Sequence, residues 1–246
     1  MDKAMYIGMT GAVNNMASQT VHANNLANAS TTGFRANLAD ASAQALQGVG
    51  FETRVYNSLK QSPTDFSQGA LMQTGNELDV AIAGEGFIAV QTADGSEAYT
   101  RAGDFQLSAF GELLTGGGLP VLGNAGPIAV PPNQKIEIGS DGTISVREQG
   151  QGAESITAFD RIKLVSAETS ELAKGSDGLV RRIDGEAALP DGSIKLQSGF
   201  LESSNVNVVD SMVNMISLSR NYEMNIKMIK SAEENSETSA RLLQVR

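Results

Sequence analysis

His22 to Arg35 reads HANNLANASTTGFR. Ala23, Leu26 and Ala27 sit at helical spacing, and Asn28, Ser30, Thr31, Thr32 and Gly33 then bring stop chemistry, so the stretch predicts a helix that ends here. Upstream, Met5, Met9, Ala12, Met16, Ala23 and Leu26 follow an alternating 3, 4 spacing, with Gln19 at the one polar step. This is a heptad-like stripe. At the far end, Met212, Met215, Ser219, Tyr222, Ile226 and Ile229 continue the same rhythm, flanked by Val208, Ile216 and Leu218, and the seam weakens between Glu233 and Ser239. A helix from Val206 to Leu243 would run roughly 57 Å at 1.5 Å per residue, too long to stand without partners along its length.

The two arms share a composition that the middle lacks. Met1, Met5, Met9 and Met16 lie before residue 35 and Met212, Met215, Met224 and Met228 after residue 200, with only Met72 between. All six prolines lie between Pro63 and Pro190, and no glycine follows Gly199. Prolines are thus confined to the middle, and the last arm carries neither proline nor, after Gly199, glycine. Charge divides the same way. Against a net of −10 for 246 residues, residues 1 to 35 carry +1 and residues 200 to 246 carry −1. Apolar stripes of this kind are often core helices that pair within one chain; length, low charge and adaptable methionine favour further packing between chains.

Four regions are expected: an N-terminal helical arm over 1–35, an extended or loosely structured connector over 36–70, an all-β domain over 71–199, and a C-terminal helical arm over 200–246. The fold class is α+β, with long N- and C-terminal helices and an irregular β sandwich or barrel between them. In the connector a short helix is possible at Leu38 to Leu46. In the β region Leu78, Val80 and Ile82 alternate, and Phe87 to Val90, Ile136 with Ile138, Thr143 to Val146 and Ile162 to Val165 supply short strands. Asp94-Gly95, Asp141-Gly142 and Asp191-Gly192 read as hairpin turns.

Several chemistries are excluded or disfavoured. There is no cysteine, which removes disulfides and thiolate sites, and His22 is the only histidine, so no imidazole pair exists for a metal. The acidic balance argues against nucleic acid and anionic membrane surfaces. No apolar run approaches a membrane span, and Asn14, Asn15, Gln19 and His22 interrupt the first arm as no secretory signal does, which by itself predicts a cytoplasmic protein. Gly84-Glu85-Gly86-Phe87-Ile88-Ala89 fits a dinucleotide fingerprint in letters, but an apolar run and a turn follow it instead of a helix. The triple glycine at 116–118 lacks the Lys of a phosphate loop. Asp94, Asp141, Asp177, Asp184 and Asp191 look like turn formers, and Arg101 reads as a surface residue or, alternatively, as a fixed ion pair or inter-subunit contact. No catalytic, cofactor or metal site is expected.

The run Ala23 to Phe34 resembles the signature of the bacterial flagellar axial proteins, the family of rod, hook and hook-filament junction subunits. Three further blocks resemble that family: Thr74 to Ile82 with Gly84 to Phe87, Tyr99 to Phe105, and Gly199 to Asn207 followed by Met212, Met215-Ile216, Arg220, Tyr222-Glu223 and Lys227. Ile88 stands where the family often has a second aromatic. Within the family the start, the short interval from Phe34 to Gln73, and the length resemble a proximal rod subunit, with the distal rod protein FlgG as the alternative. The resemblance implies a structural subunit that transmits torque, export through the flagellar type III apparatus without a cleaved signal, and a place in the periplasmic rod of the basal body. Implied partners are other rod proteins, the proximal rod FlgC and the distal rod FlgG, further copies of the chain, and the export apparatus.

The expected assembly interface comprises Met5, Met9, Met16, Leu26, Met212, Met215, Ile216, Tyr222, Ile226 and Ile229 as packing positions, Asn24, Asn25 and Asn28 as the polar helix end, and Phe34 beyond it. Ile226→Asp or Met215→Asp is expected to abolish incorporation while the β domain stays folded. Two other classes share parts of this pattern. An enzyme would need a pocket of acidic residues in 71–199, and a secreted coiled-coil adhesin or fibre protein would share the arms and the β head.

Overall fold

A computed structural model of the chain describes residues 4–39, 41–45, 55–59, 63–131, 133–148 and 157–244. It contains two terminal helices and a β-rich middle and divides into two compact units. The first is made of residues 1–28, 36–65 and 206–246, the second of residues 29–35 and 66–205.

The first unit pairs helix α1, Ala4–Ala27, with helix α2, Val208–Gln244. They have 24 and 37 residues, so the expectation of a long helix at both ends is not met. The first is stopped by its own asparagines: the Asn28 amide bonds back to the Asn24 and Asn25 carbonyls, and the chain then turns. The second has a built start. Asn207 Oδ1 accepts from the Val209 and Asp210 amides at 3.0 and 3.3 Å, which satisfies donors that a helix start leaves open.

Gly8 and Gly11 let the helices approach closely. A Cβ on Gly8 would lie 2.8 Å from Met228 Cε, and one on Gly11 would lie 3.1 Å from Asn225 Nδ2. The same unit holds an antiparallel strand pair, Ala41–Ala45 with Val55–Leu59. A strand therefore replaces the short helix expected at Leu38 to Leu46 where that segment is described. The Ser, Gln and Asn in these strands give no hydrophobic period to read, and pairing with a partner strand decides the conformation.

The second unit is a set of small antiparallel sheets. The largest has five strands in the order Leu164–Val165, Phe87–Gln91, Glu97–Thr100, Val180–Arg182, Leu172–Lys174. A three-stranded sheet orders Thr157–Arg161, Thr143–Glu148 and Asn133–Ile138. No sheet closes on itself among the described residues. Val80, Ile82, Ile88, Val90, Phe105, Leu113, Val121 and Ile144 belong to one buried cluster, and Phe87, Tyr99, Val165 and Val180 to a second. Aliphatic side chains thus fill a core with no tryptophan and few aromatics.

Asp94-Gly95 and Asp141-Gly142 form the expected tight connections, with positive φ at both glycines. Asp191-Gly192 does not join neighbouring strands. The strand after it, Lys195–Ser198, pairs instead with the distant Val80–Ala83. Gly84 and Gly86 form a positive-φ turn that leads straight into the strand Phe87–Gln91, the geometry of a strand connection and not of a pyrophosphate loop.

Candidate assembly faces and a buried ion triad

Each helix shows two faces at heptad spacing. On α1, Gly8, Gly11, Asn15, Ser18, His22 and Asn25 are buried or half-buried, while Tyr6, Met9, Val13, Met16, Thr20, Ala23 and Ala27 are all exposed. On α2, Ser211, Met215, Leu218, Tyr222, Asn225, Ile229 and Ala232 form the covered stripe. Val209, Val213, Ile216 and Met224 lie on the opposite side and are exposed. Both helices are therefore apolar on a face that the described residues leave uncovered.

The expected packing positions divide between these faces. Met215, Tyr222, Ile226 and Ile229 are half-buried, as are Met5 and Leu26. Met9, Met16, Met212 and Ile216 are exposed, at 54%, 55%, 47% and 56%. Hydrophobicity alone could not find the covered seam of α1, because close helix approach selects small side chains there and leaves the large ones outside. Tyr6, Val13, Val209, Val213 and Met224 were missed in the sequence, although their i, i+3, i+4 spacing is a readable signal.

The polar helix end also resolves. Asn25 is buried, and its amide makes a two-way bond with the Asn37 backbone, Nδ2 to the carbonyl at 2.7 Å and the amide to Oδ1 at 2.9 Å. Asn28 Nδ2 donates to the Asn24 carbonyl at 2.9 Å, and Asn24 itself is exposed. Phe34 belongs to the second unit, where it is buried with Lys174 Nζ 3.6 Å above its ring. Lys174 also donates to the Arg35 carbonyl at 2.6 Å, and burial lowers its pKa to about 8.

Beside it lies a cluster that replaces the surface reading of Arg101 with the fixed ion pair its sequence also allowed. Glu202, only 1% exposed, lies 2.7 Å from Arg35 Nη2 through Oε1 and accepts from Arg101 Nη1 at 2.9 Å through Oε2. Both arginines are buried as well. Arg101 is further fixed by the Gly84 carbonyl at 2.7 Å and lies over the Phe87 ring, 5.5 Å from its centre. Burial pushes its pKa down, and Glu202 opposes that shift. Arg35 is held by charge alone, since its guanidinium makes no aligned hydrogen bond. Two buried cations thus share one carboxylate. The missed signal was that Arg101 and Glu202 lie in two signature blocks and Arg35 directly follows a third.

The carboxylates read as turn formers are turn formers. Asp94 is driven down to about 2, foremost by the Thr92 hydroxyl and then by Ser96; Thr143 and Ser193 lower Asp141 and Asp191 in the same way. Among the described residues no group of three His, Asp or Glu side chains could hold a metal, and no helix is long and apolar enough to cross a membrane.

Three family models match in chain order. They are described as flagella basal body rod protein, over residues 5–35; flagellar hook protein FlgE/F/G D1 domain, over 81–146; and flagellar basal body rod FlgEFG protein C-terminal, over 197–242. The chain is 42% identical over 249 residues to the flagellar basal-body rod protein FlgF of Escherichia coli K12, with 99% of each chain covered. It is 41% identical to the FlgF of Salmonella typhimurium, again with 99% of each chain covered. Its identity to the flagellar basal-body rod protein FlgG of Bacillus subtilis is 34%, over 95% of this chain and 96% of that one. Matched from its first helix through its last, the chain belongs to the flagellar basal-body rod protein family.

Proposed function

We propose that this chain is a structural subunit of the bacterial flagellar rod, of the FlgF type, and that it has no catalytic role. The observation that carries this reading is the end-to-end likeness to FlgF, which takes in both helices as well as the β unit. The uncovered apolar faces supply the physical means. Tyr6, Met9, Val13 and Met16 on α1, with Val209, Val213 and Ile216 on α2, would be buried against helices of neighbouring subunits in an inner tube. A helix α1 with no Asp, Glu, Lys or Arg suits such packing, because like charges stacked along a tube repel. The acidic β unit would lie outside the tube and keep the free subunit soluble.

On this reading the neighbours are copies of the chain and other rod proteins, the proximal FlgC and the distal FlgG. The subunit reaches the periplasm through the flagellar type III export apparatus without a cleaved signal. The test is a strain lacking the chromosomal copy and carrying an epitope-tagged one. The tagged chain is expected in purified basal bodies, at its unprocessed mass, and motility is expected to depend on it. Tagged chain absent from basal bodies of a motile strain would overturn the proposal.

A further inference from the structure

Glu202 joins chain passages that are far apart in sequence. Its carbonyl accepts from the Gly33 amide at 2.8 Å, and its Oε1 accepts from the Gly69 amide at 2.9 Å while facing Arg35. Its Oε2 holds Arg101. The Asn205 amide adds a bond to the Phe34 carbonyl, and Thr32 Oγ1 bonds to Asp104 Oδ1 at 3.1 Å. Residues 29–35 are thereby fastened to the β unit by charge, hydrogen bonds and one aromatic ring. None of them belongs to either hydrophobic cluster of that unit. Gly33 fits only because it lacks a side chain, since a Cβ there would fall 2.3 Å from the Arg101 carbonyl carbon.

From this we infer that Arg35, Glu202 and Arg101 form a latch that opens separately from the β core. The segment is the exit of α1, and α2 begins six residues after Glu202. A closed latch therefore holds residues 29–35 on the β unit, and an open one releases that segment while the core remains intact. Fastening a segment outside the hydrophobic clusters by polar bonds suits local opening, because release exposes little apolar surface. The charge pattern also makes the closed state depend on one carboxylate. Without it, two buried guanidiniums face each other.

Hydrogen exchange on the full chain tests this. In the wild type, low urea is expected to leave exchange of the Gly33 and Gly69 amides unchanged and to speed that of Val121, Leu122 and Ile128, whose amides bond within the core. In Glu202→Gln, and in Arg35→Met, which keeps the Arg101–Glu202 pair, the Gly33 amide is expected to exchange at least tenfold faster and to stay insensitive to low urea, while the three core amides keep their urea dependence. A Gly33 amide that shows the urea dependence of the core amides in the wild type or in Arg35→Met would overturn the latch, as would a Gly33 amide that neither variant moves.

Discussion

Glu202 and Lys174 show how single side chains set the state of the β unit. Removing the carboxylate by Glu202→Ala leaves two buried cations without a counter-charge, so about 3–5 kcal/mol of stability is expected to be lost in urea unfolding. Replacing Arg35, Arg101 and Glu202 together with apolar residues of similar volume should cost much less than the single change. Lys174 gives a pH signature. Burial sets its folded pKa near 8, below the 10.5 of an unfolded lysine, although the Arg35 carbonyl and the Phe34 ring favour the charged form. Between these values the unfolded chain binds more protons, so stability should rise as pH climbs from about 8 toward 10.5. Below pH 8 the burial penalty is fully present. Lys174→Met should flatten that rise, as read by thermal melts of both proteins from pH 7.5 to 9.5. Little of this was legible in the sequence. Arg101 and Glu202 each sit in a recognisable motif and Arg35 directly follows one, but their separations of 66 and 101 residues hide the meeting point.

The helices and strands were more readable. The periodicity and the absence of breakers placed α2 at Val206 to Leu243 against the observed Val208–Gln244, and the stop chemistry from Asn28 to Gly33 follows the observed end of α1 at Ala27. The β core was legible for the same reason, since apolar runs bounded by Asp-Gly turns recur through it. The pairing face of α1 was not, because a seam of Gly8, Gly11, Asn15 and Ser18 carries no hydrophobic signal and is defined by what α2 brings to it. A Cβ on Gly8 would meet the mobile end of Met228, but Gly8→Leu would force the helices apart. It is expected to cost about 1–3 kcal/mol and to lower the helical signal in circular dichroism on heating before the β unit melts. Asn207→Ala should remove about 1 kcal/mol from the start of α2, measured by the same melts.

Over the whole molecule, charge is sorted between the two units. Residues 29–35 and 66–205 hold 19 acidic and ten basic residues, and the helical unit is left nearly neutral. The division supports a rod subunit in which near-neutral helices pack densely and an acidic β unit meets solvent. It also refines the choice of positions. Met215 and Ile226 are half-buried within the subunit, so an aspartate at either disturbs the monomer as well as any assembly. Met16 and Ile216, 55% and 56% exposed, separate the two effects. The decisive measurement is therefore the amount of Met16→Asp and Ile216→Asp subunit in purified basal bodies, alongside the melting of each free subunit. The account predicts free subunits that melt within a degree or two of wild type, since an exposed change costs little, and that are lost from the rod. Normal incorporation of both variants, with intact motility, would contradict it.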